Sequence, residues 1–201
     1  MTGPAFILGN GPDLPVAELT LLADQFTIGV NRILRSGFTP TVILWVDSTV
    51  YRDDGPDMDA SGALLVCDRS VAQTQQHIGL RTWVGNEALR RRSGPKTLVC
   101  NGNTGCCAAR WALALGFAPV YLLGMGARHR GTRTDFYGAN RWHTDVALRR
   151  MARELDRLRR DAPREVLAVS GADDLARITR ALPPVNVPAG QAALRELLRK
   201  E

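Results

Sequence analysis

The chain has 201 residues, 45% of them hydrophobic, with 26 basic and 20 acidic side chains and a net charge of +6. That length suits one compact domain with a substantial core, is short for two, and has the apolar content of a soluble globular protein. The charge admits an anionic partner (a nucleotide, a nucleic acid or an acidic glycan) without selecting one. The first apolar run, Phe6-Ile7-Leu8, stops at Gly9. It is too short for a signal-peptide core or a bilayer span, so the sequence reads as cytoplasmic with no membrane span.

In chain order, Ala5-Phe6-Ile7-Leu8 is a buried strand stopped by Gly9-Asn10-Gly11-Pro12. Leu14 to Ala23 has near-helical apolar spacing. Phe26 to Val30, Thr41 to Val46, Ala63 to Cys67 and Thr97 to Cys100 read as further strands. Asp53-Asp54 and Asp57-Met58-Asp59 fall in a Gly/Pro-containing stretch read as a loop, away from any strand end. Thr104 to Leu115 is a helix with Arg110 as its only charge, hence buried, and Gly116 suits its end. Val120 to Leu123 is a strand, then a polar Gly- and Arg-rich loop runs from Met125 to Trp142. Thr144 to Asp161 is an amphipathic helix, Val166 to Val169 a last strand, and Asp173 to Leu182 and Ala189 to Lys200 two terminal helices.

Alternating strands and helices predict an α/β fold, a single Rossmann-like domain with a mainly parallel sheet flanked by helices. The domain is read as residues 1–182, followed by a Pro-containing connector and C-terminal helix over 183–201. Cys67, Cys100, Cys106 and Cys107 form no Cys-x-x-Cys pair and read as small core residues. No spacing suggests a zinc site, and no metal residue is assigned.

In such a sheet, ligands bind beyond the carboxyl ends of the strands. Three strand-end segments could carry chemistry. In Gly9-Asn10-Gly11-Pro12, glycines let backbone N–H groups approach a phosphate; an ordinary strand-to-helix turn has the same composition. The third glycine of the dinucleotide fingerprint is absent, and no Gly-Lys-Ser/Thr follows, which excludes a P-loop. Asn101-Gly102-Asn103-Thr104-Gly105 precedes the buried helix, whose N-terminus favours an anion; Asn103 or Thr104 also suits the cap. The third segment carries Arg128, His129, Arg130, Arg133, Asp135, Tyr137, Arg141 and His143. These groups can stabilise a leaving phosphate or move a proton, or belong to a solvated surface loop. Arg149, Arg153, Arg157 and Arg160 form a helical stripe, joined by Arg90-Arg91-Arg92 and Lys96. It reads as a solvated face or, less favoured because acidic residues interrupt it, as a surface for nucleic-acid phosphates.

Taken together, Phe6 to Pro12, Gly29-Val30-Asn31-Arg32, and Asn103-Thr104-Gly105 leading through Leu113 to Gly116 and Tyr121 to Gly124 resemble the bacterial lipooligosaccharide sialyltransferases. The same order is similar to phage-type glycosyltransferase-like proteins and the archaeal 6-hydroxymethylpterin diphosphokinases, over residues 5 to 160. The resemblance implies that Gly9, Asn10, Gly11 and Pro12 form a nucleotide loop, and that Asn31 and Asp47 meet the ribose or base. It implies that Asn103, Thr104 and Gly105 hold the nucleotide and its phosphate. Tyr137 matches a phosphate-binding tyrosine, and His143, just before Thr144-Asp145, matches the base. Asp13 stands where that family has a serine.

The leading expectation is therefore a glycosyltransferase-like enzyme using a nucleotide-sugar donor as co-substrate, without a required metal. His143, Arg133 and Tyr137 are its catalytic residues, and modified DNA is among the candidate carriers of the acceptor hydroxyl. The alternatives are an ATP- and Mg²⁺-dependent diphosphokinase acting on a pterin-like molecule, with Asp13 or Asp47 near the metal, or a nucleic-acid-binding protein. Donor, acceptor and oligomeric state are left open.

Overall fold

In a computed structural model the described residues are 3–84, 92–140 and 143–199. Eight parallel strands among them make one sheet. They are β1 (Ala5–Leu8), β2 (Thr27–Val30), β3 (Val42–Trp45), β4 (Leu64–Asp68), β5 (Ile78–Val84), β6 (Thr97–Cys100), β7 (Val120–Leu123) and β8 (Val166–Ala168). Their spatial order is β6-β5-β4-β3-β2-β1-β7-β8. From β1 the chain builds outward to β6, then crosses back to place β7 and β8 on the other side. The order reverses between β1 and β7, and in an open α/β sheet that switch point opens the crevice where ligands bind.

Side-chain alternation along the strands feeds two cores, as a sheet covered on both faces requires. Ala5 and Ile7 of β1, Val42 and Leu44 of β3, and Leu64 and Val66 of β4 join one core. Phe6 and Leu8, Ile43 and Trp45, and Leu65 and Cys67 join the other. The first core is closed by α2 (Thr104–Ala114), α3 (Asp145–Asp161) and α5 (Val187–Arg199), through Trp111, Leu155, Leu158, Leu194 and Leu198. The second is closed by the 3₁₀ segment Val16–Leu22, α1 (Ser48–Ala60) and α4 (Ala172–Ala181), through Leu19, Leu22, Met58, Leu175 and Ile178. All four cysteines are buried free thiols.

Three sequence expectations are corrected. The acidic stretch 53–59 is not a loop but the middle of α1, with Pro56 inside it. Composition argued for a break there, but Val50 and Met58 are buried beneath the helix and Asp54 is tied to Arg32 and Arg35. β5 was not read at all. Only Ile78 and Leu80 of its residues are buried, and Gly79 interrupts the apolar pattern. Within the stretch Leu14 to Ala23, Val16–Leu22 forms a 3₁₀ segment and not an α-helix. Arg90, Arg91, Arg141, Trp142 and Lys200 lie outside the described residues.

Candidate functional site

The first loop is shaped by β7. The Gly9 N–H donates to the Leu123 carbonyl at 2.8 Å and the Gly11 N–H to the Gly124 carbonyl at 2.7 Å. A Cβ on Gly9 would lie 2.4 Å from the Gly124 oxygen, and one on Gly11 2.6 Å from it. These glycines therefore let the turns after β1 and β7 meet at the switch point. Their N–H groups are already bonded within the protein, and Pro12, which is buried, has none. A phosphate cradle of Gly9 and Gly11 N–H groups does not form. The sequence could not show this, because the competing carbonyls come from residues more than a hundred positions away.

What the loop does present is Asn10. Its Nδ2 donates to the Val30 carbonyl at 3.0 Å, while its Oδ1 is buried with no partner among the described residues. Asn31, in the left-handed region at φ 51°, leaves a second Oδ1 buried and unpartnered. Both residues line the cleft, so two amide acceptors there lack donors. Asp47 caps α1, its Oδ1 accepting from the Thr49 N–H at 2.9 Å, and lines the outer wall.

The opposite wall is the start of α2. Asn103 caps it, with Oδ1 accepting from the Cys106 N–H at 3.1 Å and Nδ2 donating to the Met151 carbonyl at 3.4 Å. The N–H groups of Thr104 and Gly105 belong to a first helical turn, which has no acceptor of its own, and both residues line the cleft. The preceding loop is braced by α3. Buried Glu154 accepts from Asn101 at 2.7 Å, Arg110 at 3.1 Å and Arg157 at 3.1 Å, and Arg150 donates to the Asn101 Oδ1 at 3.1 Å. Arg157 of the basic stripe is thus paired while still half-exposed; Arg149, Arg153 and Arg160 are exposed.

The loop after β7 closes the cleft. The Phe136 N–H donates to the Asn10 carbonyl at 2.8 Å, the Asn140 N–H to the Thr134 hydroxyl at 2.7 Å, and the His143 N–H to the Asn140 carbonyl at 2.9 Å. These bonds bring His143 against Asp135. Asp135 is 1% exposed, and its Oδ1 is 3.3 Å from His143 Nδ1. Tyr137 lies beneath the Arg35 guanidinium, 5.1 Å from carbon to ring centroid. Burial, then the charge of Asp135, pushes its phenol well above the usual value of 10, so it stays a proton donor.

These walls enclose an inner cavity of about 100 Å³, continuous with an outer one of about 560 Å³ through Asn10, Asn31, Gly102, Thr104, Asp135 and His143. Gly9, Gly11, Asn103 and Gly105 line the inner part; Asp47 and Tyr137 line the outer. Pro12 and Arg133 line neither. Arg133 is exposed, bridged to Arg130 through the backbone. Arg128 and Asp13 line a separate cavity of about 370 Å³, and His129 pairs with Asp145 at 2.9 Å.

No protein-family model matches the chain, and no curated protein matches it. Among solved structures, the chain is similar to the sialyltransferase CstII from Campylobacter jejuni, solved in complex with a substrate analogue, CMP-3FNeuAc. The identity is 12%, the TM-score is 0.42, and the match covers 83% of this chain and 81% of that chain.

The arginines at the cleft differ from those expected. Arg32, Arg35 and Arg52 line it, and they are largely neutralised. Arg32 pairs with Asp53 at 2.7 Å and Asp54 at 2.9 Å, Arg35 with Asp54 at 2.7 Å, and Arg52 with Asp53 at 2.9 Å. The two arginines beside Asp53 hold its carboxyl down at about 2. Met125 was also missed. Its side chain, 9% exposed, packs between Gly9 and Gly105, where an added Cβ would lie 2.8 Å and 2.3 Å from its sulfur. The only sequence signal was its position between Gly124 and Gly126 at a strand end. Among the described residues, no three His, Cys, Asp or Glu side chains converge to hold a metal ion, and no helix is long and apolar enough to cross a membrane.

Proposed function

We propose that this protein is a glycosyltransferase-like enzyme that binds a nucleotide-activated sugar at the switch-point cleft and transfers the sugar to a hydroxyl acceptor. The observation that carries the reading is the meeting, in one cleft, of two amide acceptors without donors, a helix N-terminus and a histidine. The Oδ1 atoms of Asn10 and Asn31 suit the hydroxyl and amino donors of a nucleoside, with Asp47 at the outer wall. The first-turn N–H groups of Thr104 and Gly105, with the positive end of the α2 dipole, suit its phosphates. Asn103 holds that turn in place.

At the reacting centre His143 takes the proton of the acceptor hydroxyl, which then attacks the anomeric carbon as the bond to the nucleotide phosphate breaks. Tyr137, protonated across the physiological range, donates to the departing phosphate.

Thermal unfolding against a panel of nucleotides and nucleotide sugars tests this. A ligand at 100 times its Kd should add about 2.7 kcal/mol. His143→Ala should retain that stabilisation and lose transfer. No stabilisation by any member of the panel would overturn the reading, and AMP release from ATP on addition of a pterin would replace it with pyrophosphoryl transfer.

A further inference from the structure

We infer that Asp135 is the positioning residue of His143. It holds the imidazole with its proton on Nδ1 and leaves Nε2 bare towards the cleft. The inference rests on the reading of His143 as the base. Three observations support it. First, Asp135 is a nearly completely buried carboxylate, and among the described residues its ionic partner within 4 Å is His143. A buried carboxylate without a cation is costly, so the residue facing it is under pressure to present a proton.

Second, the buried edge of the ring is Nδ1. That atom is sealed from solvent with no other partner among the described residues, while the side chain as a whole retains 21% exposure, which therefore falls on the rest of the ring. An imidazole with Nδ1 against a carboxylate presents Nε2 elsewhere, and His143 lines the cleft. Third, the loop is built to make the pair. The Asp135 N–H donates to the Gly138 carbonyl at 3.0 Å, the Gly138 N–H returns to Asp135 at 3.1 Å, and Asn140 anchors both Thr134 and His143. These bonds bring the Asp135 carboxylate against the His143 ring.

At 3.3 Å the two atoms are in ionic contact but not in a well-aligned hydrogen bond. Catalytic hydrogen bonds are often long before substrate binds and shorten in the complex. Among the described residues the buried Asp135 Oδ2 has no hydrogen-bond partner, and the Tyr137 hydroxyl is the carboxylate's other polar neighbour, so the carboxylate can turn to make that bond. When Nε2 takes the acceptor proton, the imidazolium forms directly against a fixed negative charge. Asp135 touches no reacting atom in this arrangement; it acts through the ring.

The test reads the tautomer directly. The chain has three histidines, so a long-range ¹H–¹⁵N spectrum of the imidazoles is resolvable, with His143→Gln identifying the His143 signals by their loss. At a pH where His143 is neutral, the intact chain should show the proton on Nδ1, and Asp135→Asn should move it to Nε2 or mix the two forms. A wild-type proton on Nε2, or an unchanged tautomer in Asp135→Asn, overturns the inference. In parallel, Asp135→Asn should lower kcat by about 10²-fold or more with donor KM changed by less than about twofold, since the lost interaction belongs to the transition state. A kcat equal to wild type overturns the inference as well. Nucleotide stabilisation of Asp135→Asn keeps the two claims apart. If wild type binds no nucleotide, the proposed function fails while the tautomer result stands on its own.

Discussion

Gly9 and Gly105, the two glycines packed against the Met125 side chain, should differ in their response to the same added methyl. In Gly9→Ala the new Cβ would lie 2.4 Å from the Gly124 oxygen and 3.0 Å from its carbonyl carbon. Those are backbone atoms, held by the Gly9 and Gly11 N–H bonds to β7. Relief requires separating β1 from β7, so the cost should reach the upper end of overpacking, about 3 kcal/mol. In Gly105→Ala the contacts under 3 Å are Met125 Sδ at 2.3 Å and Cε at 2.4 Å, the far end of an adaptable side chain. Displacing it forfeits about 1–2 kcal/mol of burial, and alanine returns up to about 1 kcal/mol of helix propensity, for a net loss of about 1 kcal/mol or less. Urea unfolding of both variants, alone and combined with Met125→Ala, separates the mechanisms. On the Met125→Ala background, Gly105→Ala should become neutral or stabilising, a coupling of about 1–2 kcal/mol, whereas Gly9→Ala should still cost about 2 kcal/mol or more because Gly124 remains. Rescue of both glycine variants by Met125→Ala, or of neither, would refute the packing argument.

Glu154→Ala should cost about 3 kcal/mol in the same assay, because it strands Arg110, whose side chain is only 16% exposed, and frees Asn101. It should also weaken nucleotide binding by loosening the turn before α2; a loss under about 1 kcal/mol would show that water replaces the carboxylate. His77 provides a pH signature. Burial, against the opposing pull of Asp59, holds its imidazole below the ordinary 6.5, so the folded chain keeps it neutral where the unfolded chain takes up a proton. Stability should therefore be insensitive to His77 above about pH 6.5 and fall as the pH drops below it. His77→Phe keeps the ring contacts with Trp45 and Tyr51 but loses the bond from the Gln73 N–H. Its deficit against wild type should shrink on acidification, and a deficit constant from about pH 7 to pH 5 would show that His77 does not titrate across the unfolding transition.

Much of the fold was legible because buried parallel strands are short continuous apolar runs, as in β1, β2 and β3, where every residue is buried. β5 lacks such a run: of its seven residues only Ile78 and Leu80 are buried, and Gly79 separates them. The α1 acidic stretch misled for the complementary reason. Asp54 is buried by Arg32 and Arg35, residues from another element, and no local rule anticipates a helix held by distant ion pairs.

For the site, the sequence by itself located the strand ends, because small and amide residues recur where strands stop. Asn10, Asn31, Asn103, Thr104, Gly105 and His143 line one cavity. It could not say what those residues do there. Only the tertiary structure put the Gly124 carbonyl over Gly9 and Gly11, left Asn10 and Asn31 with unpartnered acceptors, turned Arg133 to solvent and set Asp135 behind His143. The physical reason is that composition and spacing encode which groups are available, whereas a hydrogen bond or a buried charge depends on a partner brought near by the folding of a distant segment.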